Sequence, residues 1–212
     1  MSNFSIEKLQ PRDRQYIRKI CCDTGYAGED ISPHIDDSEM FADFWTIYYT
    51  DYEPYSGFVA RVGGETVGYL NGCLDSHFYN HIMATKILPL LLKKCLWGNY
   101  RMGKKTALFV KGMLGELQKG NIYPPLDLYP AHLHINIAAP YRRIGIGEAL
   151  ISSYLAYLRD KGVPGVHLGT TNLNYSAVTF YEKLGFELFS RTENNTFKDR
   201  KAYSLTYVKN LL

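Results

Sequence analysis

The run Arg142-Arg143-Ile144-Gly145-Ile146-Gly147 combines the residue types an anion site needs. It follows a predicted strand over residues 131–138 and opens a predicted helix running to about Lys161. Backbone N–H groups in the first turn of a helix have no intrahelical acceptor, and the helix dipole favours negative charge there. Gly145 and Gly147 carry no Cβ, so a phosphate can approach the chain closely. Arg142 and Arg143 add charge-assisted donors suited to phosphate oxygens. The loop reads as a cradle for a pyrophosphate. Two other phosphate loops fit poorly. A dinucleotide fingerprint wants a third Gly or Ala where Leu150 stands, and the G-x-x-x-x-G-K-[ST] of a P-loop is absent.

A second constellation follows. Val166 to Thr170 reads as a short strand after the turn Gly162-Val163-Pro164-Gly165. Beyond it, Asn174 or Ser176 can cap a helix that Gly185 ends. R-x-x-G-x-G, followed at this distance by N-x-x-A-x-x-F-Y-x-x-x-G-F over Asn174 to Phe186, resembles the paired signatures of the GNAT N-acetyltransferase superfamily. The resemblance implies acetyl-coenzyme A as acyl donor. It implies that Arg142, Arg143, Ile144, Gly145, Ile146 and Gly147 wrap the pyrophosphate. The backbone of Ile135 and Ile137 would pair with the pantetheine and face the thioester, and Asn174 would contact the pantetheine. Tyr181 would lie beside the sulfur and protonate the departing thiolate.

A narrower likeness lies just upstream. Tyr129-Pro130-Ala131-His132-Leu133-His134-Ile135, with Gly162-Val163-Pro164-Gly165-Val166-His167-Leu168-Gly169, resembles bacterial acetyltransferases similar to the C-terminal domain of O-GlcNAcase. The match spans roughly residues 128–189, with weaker similarity near 49–54. In that branch an Asp often stands where Asn136 stands here. The branch also includes a domain thought to acetylate nothing.

Acetyl transfer to an amine needs a positioned thioester, a stabilised oxyanion, a leaving thiolate and a route for the amine's proton. Strand alternation puts His132, His134 and Asn136 on one face, with Leu133, Ile135 and Ile137 on the other. A histidine titrates in the right range. His134 and Asn136 therefore join Tyr181 as catalytic candidates, against the plainer reading that the histidines are packing residues. Asp51 and Glu53 are rival bases, against a solvated helix end. The loop over residues 28–37 carries four carboxylates, Glu29, Asp30, Asp36 and Asp37, which could rim a site for a cationic amine. No motif positions a cysteine nucleophile, so direct transfer is expected.

The elements that must hold these residues can be read coarsely. Expected strands cover residues 4–10, 57–62, 65–74, 131–138, 166–170, 186–190 and 201–208. Expected helices cover 11–24, 38–50 (capped by Asp37 or Ser38), 146–161 and 175–184. Gly63-Gly64 marks a hairpin and Asn194-Asn195 a loop. A helical extension over about 77–120 breaks near 97–103. This order implies an α+β GNAT fold, with a mostly antiparallel mixed sheet, splayed central strands and flanking helices. The 212 residues suit a single acetyltransferase domain spanning 1–212.

Composition narrows the partners. A net charge of +3 is too small to argue for nucleic acid. The pairs Lys93-Lys94 and Lys104-Lys105 read as solvated. Four cysteines show neither zinc spacing nor an unstrained bridge, so no metal is expected, and no export signal or spanning segment is legible. The expectation is a cytoplasmic protein with a small-molecule or protein amine as acceptor and no membrane partner. The superfamily's frequent dimers leave a homodimer open. Two functions stand: a direct N-acetyltransferase, or a catalytically silent acyl-coenzyme A-binding or interaction module.

Overall fold

A computed structural model describes residues 4–118, 123–194 and 201–212. Strand β1 (Phe4–Lys8) leads through a short 3-10 turn into helix α1 (Arg14–Asp23). Helix α2 (Ser38–Ile47) is capped by Asp37, whose carboxylate accepts from the N–H groups of Glu39 and Met40. It runs on as a π-turn over Tyr48–Tyr52 rather than as α-helix to residue 50. Strands β2 (Phe58–Val62) and β3 (Glu65–Cys73) form the expected hairpin. Gly63 and Gly64 sit at φ 58° and 86°, the left-handed pair that matches strand twist in a two-residue turn.

The extension forms as α3 (Ser76–Ile82), a π-turn, α4 (Leu88–Leu96) and α5 (Lys104–Gln118). Its expected end at Gly120 lies outside the described residues, as does Asn195 of the expected loop. Then come β4 (Ala131–Ile137), α6 (Ile146–Asp160), β5 (Gly165–Thr171) and α7 (Tyr175–Lys183). The last strands, β6 (Glu187–Asn194) and β7 (Ala202–Asn210), each extend past the expected ends because they pair with each other along most of their length.

These strands form one sheet of order β1-β2-β3-β4-β5-β7-β6. Every neighbouring pair is antiparallel except β4 and β5. On one face α6 and α7 bury Leu150, Ile151, Leu158 and Tyr181 against Leu70, Leu133 and Leu168. On the other, α1, α2 and the extension bury Ile17, Ile20, Phe41 and Ile87 against Val59, Tyr69 and Cys73. The fold is the expected mixed sheet flanked by helices.

Candidate active site

β4 and β5 meet at only two registered pairs, Ala131 with Val166 and His132 with His167. Beyond His132 the two strands part. Their outer edges stay paired, β4 with β3 as far as Ile137 and β5 with β7 as far as Thr171. A wedge therefore opens between two strands whose outer edges are paired.

The direction of the β4 backbone follows from one bond. The N–H of Ala138 donates to Val67 O on the β3 side at 2.9 Å. Strand alternation then turns the N–H and C=O of Ile135 and Ile137 toward the wedge. Arg142 Nε donating to Ile137 O at 3.0 Å agrees with that direction. A polar strand edge in a cleft must find a partner in water or in a ligand.

The residues read as a pyrophosphate cradle follow the end of β4 where this wedge opens. Gly145, at φ 95°, is the N-terminal cap of α6 in the left-handed region, where a Cβ would be strained. Gly147 serves a different need. A Cβ there would meet Phe180 Cζ at 3.0 Å and Ile137 Cδ1 at 3.3 Å, so its absence lets α6, α7 and β4 converge. Among the described residues, no protein acceptor meets the N–H groups of Gly145 through Glu148. Arg143 is exposed at φ 64°, and Ile144 is also exposed. The exposed side chain of Arg142 is partly committed within the chain. Besides Ile137 O it donates to Gly28 O at 2.8 Å, and so staples the α1–α2 loop to the cradle.

Asn174 caps α7, its side-chain oxygen accepting from the N–H of Ala177 at 3.3 Å. Its Nδ2 lies 3.9 Å from where a Cβ on Gly28 would stand. The two signature motifs and the α1–α2 loop thus converge across the wedge. Tyr181 is 7% exposed, with its ring among Phe180, Phe186 and Tyr207. Burial pushes its phenol well above the ordinary value, so it stays protonated and available as a donor at neutral pH.

The other face of β4 carries the expected polar row. His132 is held from both ring nitrogens, Nε2 with Tyr49 Oη at 3.0 Å and Nδ1 with Ser76 Oγ at 2.8 Å. Burial, with lesser contributions from His167 and His134, pushes it down to about 3. It reads as a satisfied packing residue. His134 stacks on Trp45 at 5.4 Å between centroids, and its Nδ1 lies 3.5 Å from Tyr69 Oη. Burial pushes His134 down to about 4. Asn136 Nδ2 donates to the same Tyr69 hydroxyl at 3.0 Å. Asn136, Tyr69 and His134 are therefore one connected group, and Trp45 adds a buried Nε1 that has no partner among the described residues.

The carboxylate rivals go elsewhere. Glu53 is not at a solvated helix end. It is 2% exposed and accepts from Tyr48 Oη (2.6 Å), Ser56 Oγ (2.6 Å) and the N–H of Leu74 (2.8 Å). Asp51 is exposed and pairs with Arg14 at 2.7 Å. In the acidic loop, Asp36 accepts from Thr106 N and Asp37 from Arg101 N, while Asp30 binds Ser32. Asp30 makes a local turn while Asp36 and Asp37 clamp the loop to the extension, and among the described residues only Glu29 of the four shows no such side-chain contact. Burial raises the thiols, Cys21 to about 12 and Cys22 to about 11, which leaves both protonated and poor nucleophiles.

The sequence reading missed Trp45, Tyr69 and Asp43. Asp43 is 3% exposed and binds Arg18, Lys94 and Tyr100, which ties α1, α2 and α4 together. The one signal for it was an acid within the apolar run from Met40 to Trp45.

Known proteins share both the motif region and the architecture. Residues 120–186 match the family described as Acetyltransferase (GNAT) family. A probable N-acetyltransferase family 8 member 5 from Mus musculus is 35% identical over 65 residues, which is 30% of this chain and 29% of that protein. N-alpha-acetyltransferase 50 from Danio rerio is 38% identical over 61 residues, 28% of this chain and 36% of that protein. The chain thus spans about a third of the length of these curated relatives. The crystal structure of SsHAT matches 99% of both chains at TM-score 0.78 and 26% identity. The acetyltransferase yncA of Salmonella typhimurium, solved with its cofactor acetyl-CoA, shares the fold at TM-score 0.59 and 12% identity, covering 100% of this chain and 95% of that one.

Proposed function

We infer that this chain, whose residues 120–186 match the GNAT acetyltransferase family, is an N-acetyltransferase that moves the acetyl group of acetyl-coenzyme A directly to an amine. The observation that carries this reading is the wedge between β4 and β5, with the uncommitted N–H groups of Gly145 to Glu148 at its mouth. On this reading those N–H groups hold the pyrophosphate, with the exposed Arg143 adding charge. Arg142 serves as a backbone staple. The edge of Ile135 and Ile137 pairs with the pantetheine amides, as one more strand would. That pairing places the thioester carbonyl near the N–H of Ile137, a fixed donor for the oxyanion.

The amine nitrogen attacks the thioester carbon, the carbon–sulfur bond breaks and the sulfur leaves with the bonding pair. Tyr181 supplies a proton to that thiolate, and the proton lost by the acylated nitrogen passes through solvent to restore the tyrosine hydroxyl. The amine's own proton needs a separate route. A histidine held near 4 is neutral at pH 7 but takes a proton from an ammonium only at large cost. His134 and Asn136 therefore shape the acceptor side, and the acceptor enters as the free amine. Turnover should rise with pH along the acceptor's own titration, with no step near 6.5.

The silent-module reading also has an observation behind it. The Asn136 amide is committed to Tyr69, and among the described residues no carboxylate contacts the Asn136–Tyr69–His134 group. Thiol release from acetyl-coenzyme A, measured with and without a panel of amines, separates the two readings. Transfer requires amine-dependent release, and Tyr181→Phe should slow it by about 100-fold with cofactor affinity unchanged. Cofactor binding without release under any amine would favour the silent module.

A further inference from the structure

Between Asp75 and Glu116 the chain carries no carboxylate. Residues 76–110 instead hold Lys86, Lys93, Lys94, Arg101, Lys104 and Lys105, against a net charge of +3 for the whole chain. Among the described residues, only Lys94 of these forms an ion pair, with Asp43 at 2.5 Å. The same segment exposes large apolar side chains. Leu92 is 60% exposed, Leu96 76% and Trp97 68%, with Leu88 and Met102 near half. α4 turns Leu91 inward onto the α1–α2 core, while Leu88, Leu92 and Leu96 recur every fourth residue along its outer side.

We propose that this outer side of the helical extension rests on an anionic lipid surface. Leu88, Leu92, Leu96 and Trp97 would enter the headgroup–acyl boundary, and Lys86, Lys93, Lys104 and Lys105 would meet the acidic headgroups. Shape favours lipid over a protein groove. Side chains this exposed stand on a ridge, which a fluid interface accommodates, whereas a peptide partner docks in a concavity. Charge disfavours a second copy, because an isologous contact would set these lysines against their own images. Tryptophan prefers the membrane interface, and lysine stems can lie along apolar surface while their heads reach charge. No helix among the described residues is long and apolar enough to cross a membrane, so the contact is lateral. The earlier expectation of no membrane partner rested on the lack of a spanning segment, which leaves a surface contact open.

Flotation of the full chain with phosphatidylcholine–phosphatidylserine vesicles, beside pure phosphatidylcholine vesicles, tests this. Binding to the anionic vesicles should be about tenfold or more tighter than to the neutral ones and should weaken with salt. Leu92→Glu/Leu96→Glu should abolish it with an unchanged circular dichroism spectrum, since both residues are exposed in the fold. Lys86→Glu/Lys93→Glu should weaken it by about tenfold. Three results would overturn the proposal: no binding to either vesicle, equal binding to both, or binding that survives Leu92→Glu/Leu96→Glu. A dimer abolished by that variant, with no vesicle binding, would assign the ridge to self-association instead.

Discussion

β4 borders two candidate surfaces built on different principles. Toward β5, the wedge works through backbone: the edge of Ile135 and Ile137 and the N–H groups of Gly145 to Glu148. Toward α2, the site works through side chains drawn from separate elements, with Asn136 and His134 of β4 meeting Tyr69 of β3 and Trp45 of α2. A backbone site is set by where the chain turns and where pairing stops. It tolerates substitution at most positions and fails at the few that fix dihedrals. A side-chain site depends on packing distributed over the whole α1–α2 half, so it responds to changes far from the chemistry. On the proposed reading the acyl donor meets the first kind of site and the acceptor the second.

Three perturbations sharpen or break that contrast. The largest effect is expected for Glu53→Ala. Its carboxylate takes three donors in a buried position at the base of the side-chain half. Removing it should cost about 3–5 kcal/mol of stability by denaturant titration, while the folded fraction binds acetyl-coenzyme A as before. A normal stability with lost turnover would instead restore Glu53 as a base.

Next comes Gly145→Val. A β-branched residue at φ 95° distorts the turn. Acetyl-coenzyme A affinity should fall by about 100-fold, roughly 3 kcal/mol, against a smaller loss of stability. A variant that binds normally would remove this turn from the cofactor site.

The smallest effect is the pH dependence from His134. Its folded value, near 4, lies below the unfolded 6.5, so between these pH values the unfolded chain binds more protons. The neutral ring's contribution is fully present above about 6.5 and is lost as pH falls toward 4. That loss should amount to roughly 2 kcal/mol after allowance for partial exposure, and His134→Gln should flatten it. An unchanged slope in the variant would place the titration on other groups.

The same contrast explains what could be read in the sequence. The Gly145 turn, the Asn174 cap and the Gly63-Gly64 hairpin were legible because each is decided by a few adjacent residues. The wedge followed from the superfamily resemblance. Trp45 and Tyr69 stand 24 positions apart and more than 60 from His134, so no local pattern announces their meeting. Glu53 was misread for a related reason: its burial depends on Tyr48, Ser56 and the end of β3 closing around it. The acidic loop looked like a charged rim because its clamping partners, Arg101 and Thr106, lie across the extension.

Amide hydrogen exchange with and without acetyl-coenzyme A tests the central claim most directly. Binding should slow exchange at Ile135, Ile137 and Gly145 to Glu148, and should leave the paired β3 and β7 amides unchanged. Protection confined to other segments, or no protection at saturating acetyl-coenzyme A, would contradict a cofactor site in the β4–β5 wedge.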